Sequence, residues 1–524
     1  MLNTPSGTNG MVTTPHHLAS QSGVAVLRAG GDAIEAMVAA AATIAVAYPH
    51  MNGIGGDGFW LVSRPGQAPV AIDACGPAAA AATPHAYGAH PAIPARGPEA
   101  ALTVPGTIGG WQEALTLSAG LTPLSRLFAD AIGYARDGVP VTLGQAELGR
   151  AKLDELRHVP GFADVFLANG AVPAPGARFR QPALARTLQR LAEVGLDDFY
   201  RGQVACDLAA DLANAGSPLA AQDLAGYHAH RCDPLGIRLD GARVYNMPPP
   251  TQGLSHLMIL GLFDRLPSER ADDAQFVHRL VEVTKQAFLV RNAEVRDPAT
   301  MDQSAEAFLE PGYLDQLAER IDLERALTWD RPGQVGDTIW MGAVDSDGTA
   351  VSFIQSLYWE FGSGVISPAT GVLLQNRGAS FSLDPANKNY LAPGRKPFHT
   401  LVPGYAEFDD GRRIVYGTMG GEGQPQTMAA IFARYARYGQ GLQQAVTAPR
   451  WLLGRTWGAE STTLKLECRF DDGLISALRA AGHKVEVLEP FSATMGHAGA
   501  VVRHPDGCLE GASDPRSDGS VAAY

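Results

Sequence analysis

The sequence predicts a layered α/β protein built around a largely antiparallel sheet, and three observations predict it. Residues 36–48, Ala-Met-Val-Ala-Ala-Ala-Ala-Thr-Ile-Ala-Val-Ala-Tyr, are apolar all round. A helix of that kind must be covered on every side, as in a helical layer packed on a sheet. From residue 338 the period changes to alternation, with Thr338 to Val344, an Asp345-Ser-Asp-Gly348 turn and Thr349 to Leu357 spelling a β-hairpin. Helical periodicity returns behind it, so strands lie mid-chain with helices on both sides.

In chain order, Gly30-Gly31 reads as a helix end and Asp32 as the N-cap of the next helix, dividing 18–48 into a helix pair. Further helices are expected at 124–136, 183–194, 203–214 and 275–292. The last places Phe276, Leu280, Val283 and Phe288 on one face and charged residues on the other. Strands are expected at 371–375 and 412–417, and helices at 425–438 and 470–481.

With 524 residues, 46% hydrophobic and 18% charged, the chain buries a large core without disulfide or metal staples. No polar linker or internal repeat divides it. A net charge of −13, with the 41 Lys and Arg scattered, disfavours nucleic acid and anionic membranes and points to a small-molecule partner. The 36–48 run is too short for a bilayer and follows Glu35. The N-terminal segment lacks the basic and apolar regions of a secretory signal, so a cytoplasmic protein is expected. Five widely spaced cysteines (Cys75, Cys206, Cys232, Cys468, Cys508) with no CxxC read as free, mostly buried thiols. His16-His17 and His228-Ala-His230 have no third ligand at suitable spacing and read as capping or solvated residues, so no metal is expected. Gly53-Ile-Gly-Gly-Asp-Gly58 matches a dinucleotide loop, but a helix precedes it and a strand follows. It reads instead as a tight helix-to-strand connection with glycines at positive φ.

No G-x-S-x-G, S-x-x-K or H-E-x-x-H motif occurs. Thr338 stands at a Gly336-Asp337-Thr338 junction between a loose Pro/Gly segment and the hairpin. If the peptide bond before it is cut, one residue carries a hydroxyl and a free α-amine, a nucleophile with its own base. Threonine is common in strands for steric reasons, so this signal is weak alone. Gly417-Thr-Met-Gly420-Gly421-Glu-Gly423, between a strand and a helix, could converge N–H groups on an oxyanion; a plain tight turn would look the same.

The motifs gain weight together. Val12-Thr-Thr-Pro-His-His-Leu-Ala-Ser-Gln, Gly30-Gly-Asp-Ala-Ile-Glu-Ala, Gly53-Ile-Gly-Gly-Asp-Gly-Phe, Val104-Pro-Gly-Thr-Ile-Gly-Gly, Met247-Pro-Pro-Pro-Thr-Gln-Gly, Asp337-Thr338 with Val344-Asp345, Phe361-Gly-Ser-Gly364, Met419-Gly-Gly421 and Gly511-Ala-Ser-Asp-Pro-Arg516 span nearly the whole chain. This set resembles the γ-glutamyltransferase family of N-terminal nucleophile hydrolases. The resemblance implies a four-layer αββα fold, two stacked, mainly antiparallel sheets between helical layers. It also implies a proenzyme cut between Asp337 and Thr338 into a large chain, 1–337, and a small chain, 338–524, that stay intertwined as one unit. Thr338 would be the nucleophile, its α-amine the proton shuttle and Ser356 a supporting hydroxyl. The Gly420 and Gly421 amides would hold the oxyanion, and no cofactor is implied.

The substrate positions depart from the family pattern. Where γ-glutamyl enzymes hold the substrate's amino end with an asparagine and an acidic residue, this chain has Tyr358 and Ser380. The family's glutamine is Arg377, its carboxylate-binding Ser-Ser pair is His399-Thr400, and its substrate arginine falls near Pro84. Arg377 with Thr400 and His399 would clamp a carboxylate close to the scissile amide, which suits a short substrate; a structural ion pair is the alternative for Arg377. The pattern is similar to the oxamate amidohydrolase branch, enzymes of purine-ring nitrogen salvage that release ammonia from oxamate. The expectation is therefore an autoprocessing threonine amidohydrolase acting on a small carboxylate-bearing amide, with a dimer of processed units allowed. The alternatives are a γ-glutamyl hydrolase or transferase and a non-catalytic relative that acts as a binding protein.

Overall fold

The computed structural model describes residues 3–331, 336–456 and 461–524. Pro332 to Val335, most of the Pro/Gly segment ahead of Thr338, and the first two residues of the N-terminus lie outside the described residues.

Two seven-stranded antiparallel sheets form the centre. One runs Ser520–Ala523, Met11–Thr14, Asp337–Val344, Ala350–Tyr358, Asp57–Ser63, Val70–Ala74, His230–Cys232. The other runs Ser6–Gly7, Leu509–Ser513, Ala498–Arg503, Arg413–Thr418, Gly404–Phe408, Ala242–Asn246, Leu235–Leu239. Their facing sides bury Met11, Phe59, Leu61, Trp340, Ile354, Tyr405, Val415 and Val501. Helices His17–Arg28 and Ala33–Ala47 cover the outer face of the first sheet in one core; Gly253–Arg265, Ala274–Glu294 and Gly423–Ala436 cover the second in another. The order helix, sheet, sheet, helix is the expected four-layer αββα arrangement.

Trp340 shows how the layers are keyed together. Its indole lies between the sheets and donates to Ser352 Oγ at 2.9 Å. A Cβ on Gly417 would stand 2.2 Å from its Cδ1, and one on Gly499 2.7 Å from its Cζ3. Glycine at these two positions makes the room that a ring two residues from Thr338 requires.

The hairpin forms as read, Asp345 closing it with its Oδ1 on Thr349 N–H at 2.8 Å while Oδ2 accepts from Ala33 N–H at 2.9 Å and so ties the hairpin to the helix start. Asp32 caps that helix and Glu35 completes a capping box. The segment 124–136 is two helices, Leu124–Leu127 and Ala129–Asp137, joined at Phe128. Residues 371–375 are not a strand: they make only isolated bridges, Leu373 to Ile366 and Leu374 to Gly55. Helix Ala274–Glu294 has no water-facing charged side along most of its length; Glu282, Lys285 and Arg291 are buried and ion-paired. The glycines of 53–58 do not have positive φ. They are required by close approach: a Cβ on Gly56 would lie 2.0 Å from Ser356 O, and one on Gly55 2.2 Å from Leu373 O. The thiols are free, but only Cys75 is buried, while Cys206 and Cys468 are exposed. Among the described residues no helix is long and apolar enough to cross a membrane.

Candidate active site

Thr338 is fully buried near the start of its strand. The ladder to Ala350–Tyr358 slips by one residue there: Asp337 pairs with Tyr358, Ile339 with Gln355. A bulge of this kind re-aims a side chain, and here Thr338 Oγ1 hydrogen-bonds to the Asp337 carbonyl and lies 3.2 Å from Ser356 Oγ. Ser356 Oγ also donates to that carbonyl and accepts from Tyr358 N–H at 2.8 Å. Two hydroxyls thus converge on the peptide unit between Asp337 and Thr338. The Asp337 carboxyl is held well above its usual range by burial and by nearby Glu360, against the opposing effect of Thr338 N–H at 2.8 Å. Arg96 lies behind Glu360, its NH2 3.8 Å from Glu360 Oε2.

The glycine loop between Arg413–Thr418 and Gly423–Ala436 turns through Gly420 at φ 127° and Gly421 at φ 52°, both strained for any L side chain. It lies against the segment that ends at Thr338. Gly336 donates to Thr456 O at 3.1 Å, and a Cβ on Gly336 would stand 3.1 Å from Gly421 Cα and from Thr400 Oγ1 and 3.6 Å from the Tyr358 ring. The residue two before Thr338 therefore occupies the niche made by Gly421, Thr400 and Tyr358.

The loop is tied from behind. The Gln252 side-chain amide donates to Thr400 O at 2.7 Å and to Gly421 O at 2.8 Å. Arg291 fixes Gln252 Oε1 at 2.9 Å and pairs with Glu422 at 2.5 Å. Nothing in residue type or spacing marks Gln252, Arg291 or Glu422 for this task in the sequence.

Next to this niche Arg377 is fully buried, with NH1 3.4 Å from Thr400 Oγ1 and Cζ 3.9 Å from the Tyr358 ring centroid. Its Nε and NH2 have no hydrogen-bond partner among the described residues. Burial lowers it to about 10, so it stays cationic near neutrality. Tyr358 takes φ 82°, a conformation costing a non-glycine residue of order 1–3 kcal/mol that its surroundings must over-determine. His399, fully buried, lies 3.4 Å through Nε2 from Asp57 Oδ2, with Phe59 edge-on at 5.0 Å. Asp57 Oδ1 accepts from Gly76 N–H at 3.2 Å and Gly106 N–H at 3.1 Å. Asp57 sits in the glycine motif 53–58, where the glycines are the conspicuous signal and the carboxylate is not. Ser380 shares the short turn Arg377–Ser380, its Oγ buried and without a partner among the described residues. Pro84 is half-buried in a turn-rich stretch; among the described residues Arg377 lies beside Tyr358 and Thr400.

Among the described residues one group could hold a metal: His278, Glu282 and His483, all buried. Its donor atoms are already engaged. His278 Nδ1 and His483 Nε2 are 2.9 Å apart, His278 Nε2 faces Asp322 O at 3.0 Å, and Lys285 Nζ holds Glu282 Oε1 at 2.6 Å. A closed network with an ammonium on its carboxylate fits structural bracing. His16 caps its helix through Nδ1, and His228 is exposed, as read from the sequence.

A family profile described as Gamma-glutamyltranspeptidase matches residues 19–524. The chain belongs to that family. It is 57% identical over 521 residues to the oxamate amidohydrolase proenzyme of Klebsiella pneumoniae subsp. pneumoniae, with 99% of each chain covered. It is 41% identical to the glutathione hydrolase-like YwrD proenzyme of Bacillus subtilis, over 98% of each. The structure of a cephalosporin acylase from Bacillus halodurans superposes with a TM-score of 0.92 at 34% identity, covering 100% of this chain and 97% of that one. The fold is thus the N-terminal nucleophile hydrolase fold, and the protein is an amide hydrolase of the gamma-glutamyltranspeptidase family.

Proposed function

We propose that the protein cuts its own chain before Thr338 and that the freed threonine hydrolyses a short carboxylate-bearing primary amide, oxamate, to oxalate and ammonia. The observation that carries the substrate reading is Arg377: a buried guanidinium with two donor nitrogens that have no partner among the described residues, beside Thr400 and next to the niche that Gly336 fills. A carboxylate received there gains charge-assisted bonds in a planar fork. The similarity to a Klebsiella protein named for oxamate supports it.

In processing, Thr338 Oγ attacks the Asp337 carbonyl carbon, the acyl group passes from nitrogen to oxygen, and water hydrolyses the ester. This leaves a carboxylate on Asp337 and a free amine on Thr338. In turnover, Thr338 Oγ attacks the substrate amide carbon while the α-amine takes the hydroxyl proton. The Gly420 and Gly421 N–H groups hold the oxyanion, and the proton passes to the leaving nitrogen, which departs as ammonia. Water, deprotonated by the same amine, releases oxalate and restores Thr338. Gly336, which fills the niche in the uncut chain, must leave for substrate to enter.

A γ-glutamyl substrate is the second reading, favoured by Asp57 Oδ2, a buried carboxylate oxygen with no hydrogen bond among the described residues and only His399 Nε2 near it at 3.4 Å, where an α-ammonium could rest. Ammonia release from oxamate and from glutamine, and anilide release from a γ-glutamyl anilide, measured in parallel with Thr338→Ala as blank, separates the two. Turnover of oxamate alone is expected; turnover of the glutamyl compounds alone would return the site to γ-glutamyl chemistry.

A further inference from the structure

The niche of Arg377 holds more charge chemistry than a carboxylate clamp requires. Asp57, His399 and Arg377 come from three separate segments and are all fully buried. Among them Asp57 Oδ2, both ring nitrogens of His399, and Nε and NH2 of Arg377 lack hydrogen-bond partners among the described residues. Buried polar atoms are normally satisfied, so this concentration outlines the place of a polar ligand.

We propose that Asp57 and His399 act as a positioning pair that takes up one proton when an anionic substrate binds Arg377. The proposal rests on the carboxylate reading of Arg377 given above.

Charge balance is the reason. Arg377 carries +1 and an ionised Asp57 −1, so the two together are neutral. A substrate carboxylate added to it would leave one uncompensated negative charge in a buried place, which is strongly unfavourable. One proton, held between Asp57 Oδ2 and His399 Nε2 across 3.4 Å, restores neutrality. The other groups facing Asp57 do not supply it. Burial keeps the Cys75 thiol and the Tyr200 and Tyr227 phenols protonated well beyond neutrality, the Tyr358 hydroxyl is likewise raised, and Lys396 is bound to Asp73 at 2.6 Å. Burial also pushes Asp57 up to about 7, against Arg377, the Gln375 side chain and the Gly76 and Gly106 amides, whereas burial, Arg377 and Lys396 hold His399 well below its ordinary range. The proton therefore belongs to Asp57, with His399 as its neutral acceptor.

The sign follows. Below about pH 7 Asp57 already carries the proton, Arg377 is unbalanced, and the anion binds without uptake. Above it, binding must draw a proton from solvent, and affinity falls by up to about tenfold per pH unit. The turnover number moves the other way, because the Thr338 amine acts as the free base.

The test uses the cleaved wild-type protein. KM and kcat for oxamate are measured from pH 6 to 9. Binding of pyruvate, a monoanion of oxamate's shape, is measured by calorimetry at pH 8.5 in phosphate and in Tris, whose ionisation heats differ. Expected are a KM that is flat to about pH 7 and then climbs toward tenfold per unit, and a buffer-dependent heat equal to uptake of about one proton. Asp57→Asn, checked by mass for self-cleavage, should flatten the KM profile. A KM independent of pH with no buffer-dependent heat, in an enzyme that turns over oxamate, would overturn the coupling alone. Absence of oxamate turnover and of pyruvate binding would instead remove the clamp, and the coupling with it.

Discussion

Thr338 is placed by its neighbours rather than by its own propensity. A ladder slip turns its hydroxyl toward the preceding carbonyl, and Ser356 supplies the second hydroxyl there. Thr338→Ala is expected to leave one piece of 55.2 kDa, where the wild type should give about 35 and about 20 kDa in proportion to residues 1–337 and 338–524. Intact mass reads the outcome directly. Ser356→Ala removes one hydrogen bond to the attacked carbonyl, of order 1 kcal/mol, and should slow processing about fivefold in a time course of the same masses. At this scale residue type alone marked little, since a threonine in a strand is ordinary; the family motifs singled out Thr338, Ser356, Arg377 and Thr400, and these meet in one region. Asp57 was not singled out, because its meaning depends on His399 and Arg377, more than 300 positions away along the chain.

Among the elements, the glycine loop is tied to its neighbours by side chains, Gln252 at Gly421, Thr456 at Gly420 and Gln426 at Glu422. Gln252 joins the carbonyls of Thr400 and Gly421, and the buried Arg291–Glu422 pair holds Gln252 and the loop end. Arg291→Met strands the Glu422 carboxylate and should cost about 3–5 kcal/mol, seen as a large fall in the melting temperature. Gln252→Leu should lower kcat more than it lowers stability, since it frees the loop without leaving a buried charge. A variant with kcat unchanged would show that the loop holds itself. The helices and the hairpin were legible from period and caps. Residues 371–375 misled because a buried apolar run looks like a strand whether or not a partner lies beside it. The charged side of Ala274–Glu294 misled because periodicity cannot tell water from a buried partner such as Lys285 for Glu282.

Over the whole molecule, segments from before and after Thr338 interleave in both sheets, with Met11–Thr14 between Ser520–Ala523 and Asp337–Val344. Cleavage at Thr338 should therefore leave one particle that elutes and unfolds as a unit, and separation of the two pieces in native buffer would contradict this. A buried ionic cluster ties the C-terminal segment in: Arg516 grips Glu467 at 2.7 and 2.6 Å and reaches Asp514 at 3.1 Å, while Arg450 pairs with Asp514 at 2.5 Å. Burial alone would raise Asp514, but Arg450 and Arg516 outweigh it and hold the carboxyl below its usual range. Its stabilising contribution is thus present above the unfolded carboxylate value of about 3.9 and lost as pH falls through the lower folded value. Acid unfolding should begin at higher pH in Arg450→Met than in wild type. The pairing order of the sheets was not legible in the sequence alone, because alternation marks a strand but not a neighbour hundreds of residues distant.

The central claim is that a threonine freed by self-cleavage acts on a short amide held by Arg377. Its most direct test is kcat/KM for oxamate and for a γ-glutamyl anilide on mass-verified, cleaved wild type and Arg377→Ala. Oxamate turnover by the wild type is expected, lowered about 10- to 150-fold in the variant as about 1.5–3 kcal/mol of charge-assisted binding is lost, with self-cleavage intact. Equal oxamate kinetics in both proteins, or turnover of the anilide alone, would contradict it.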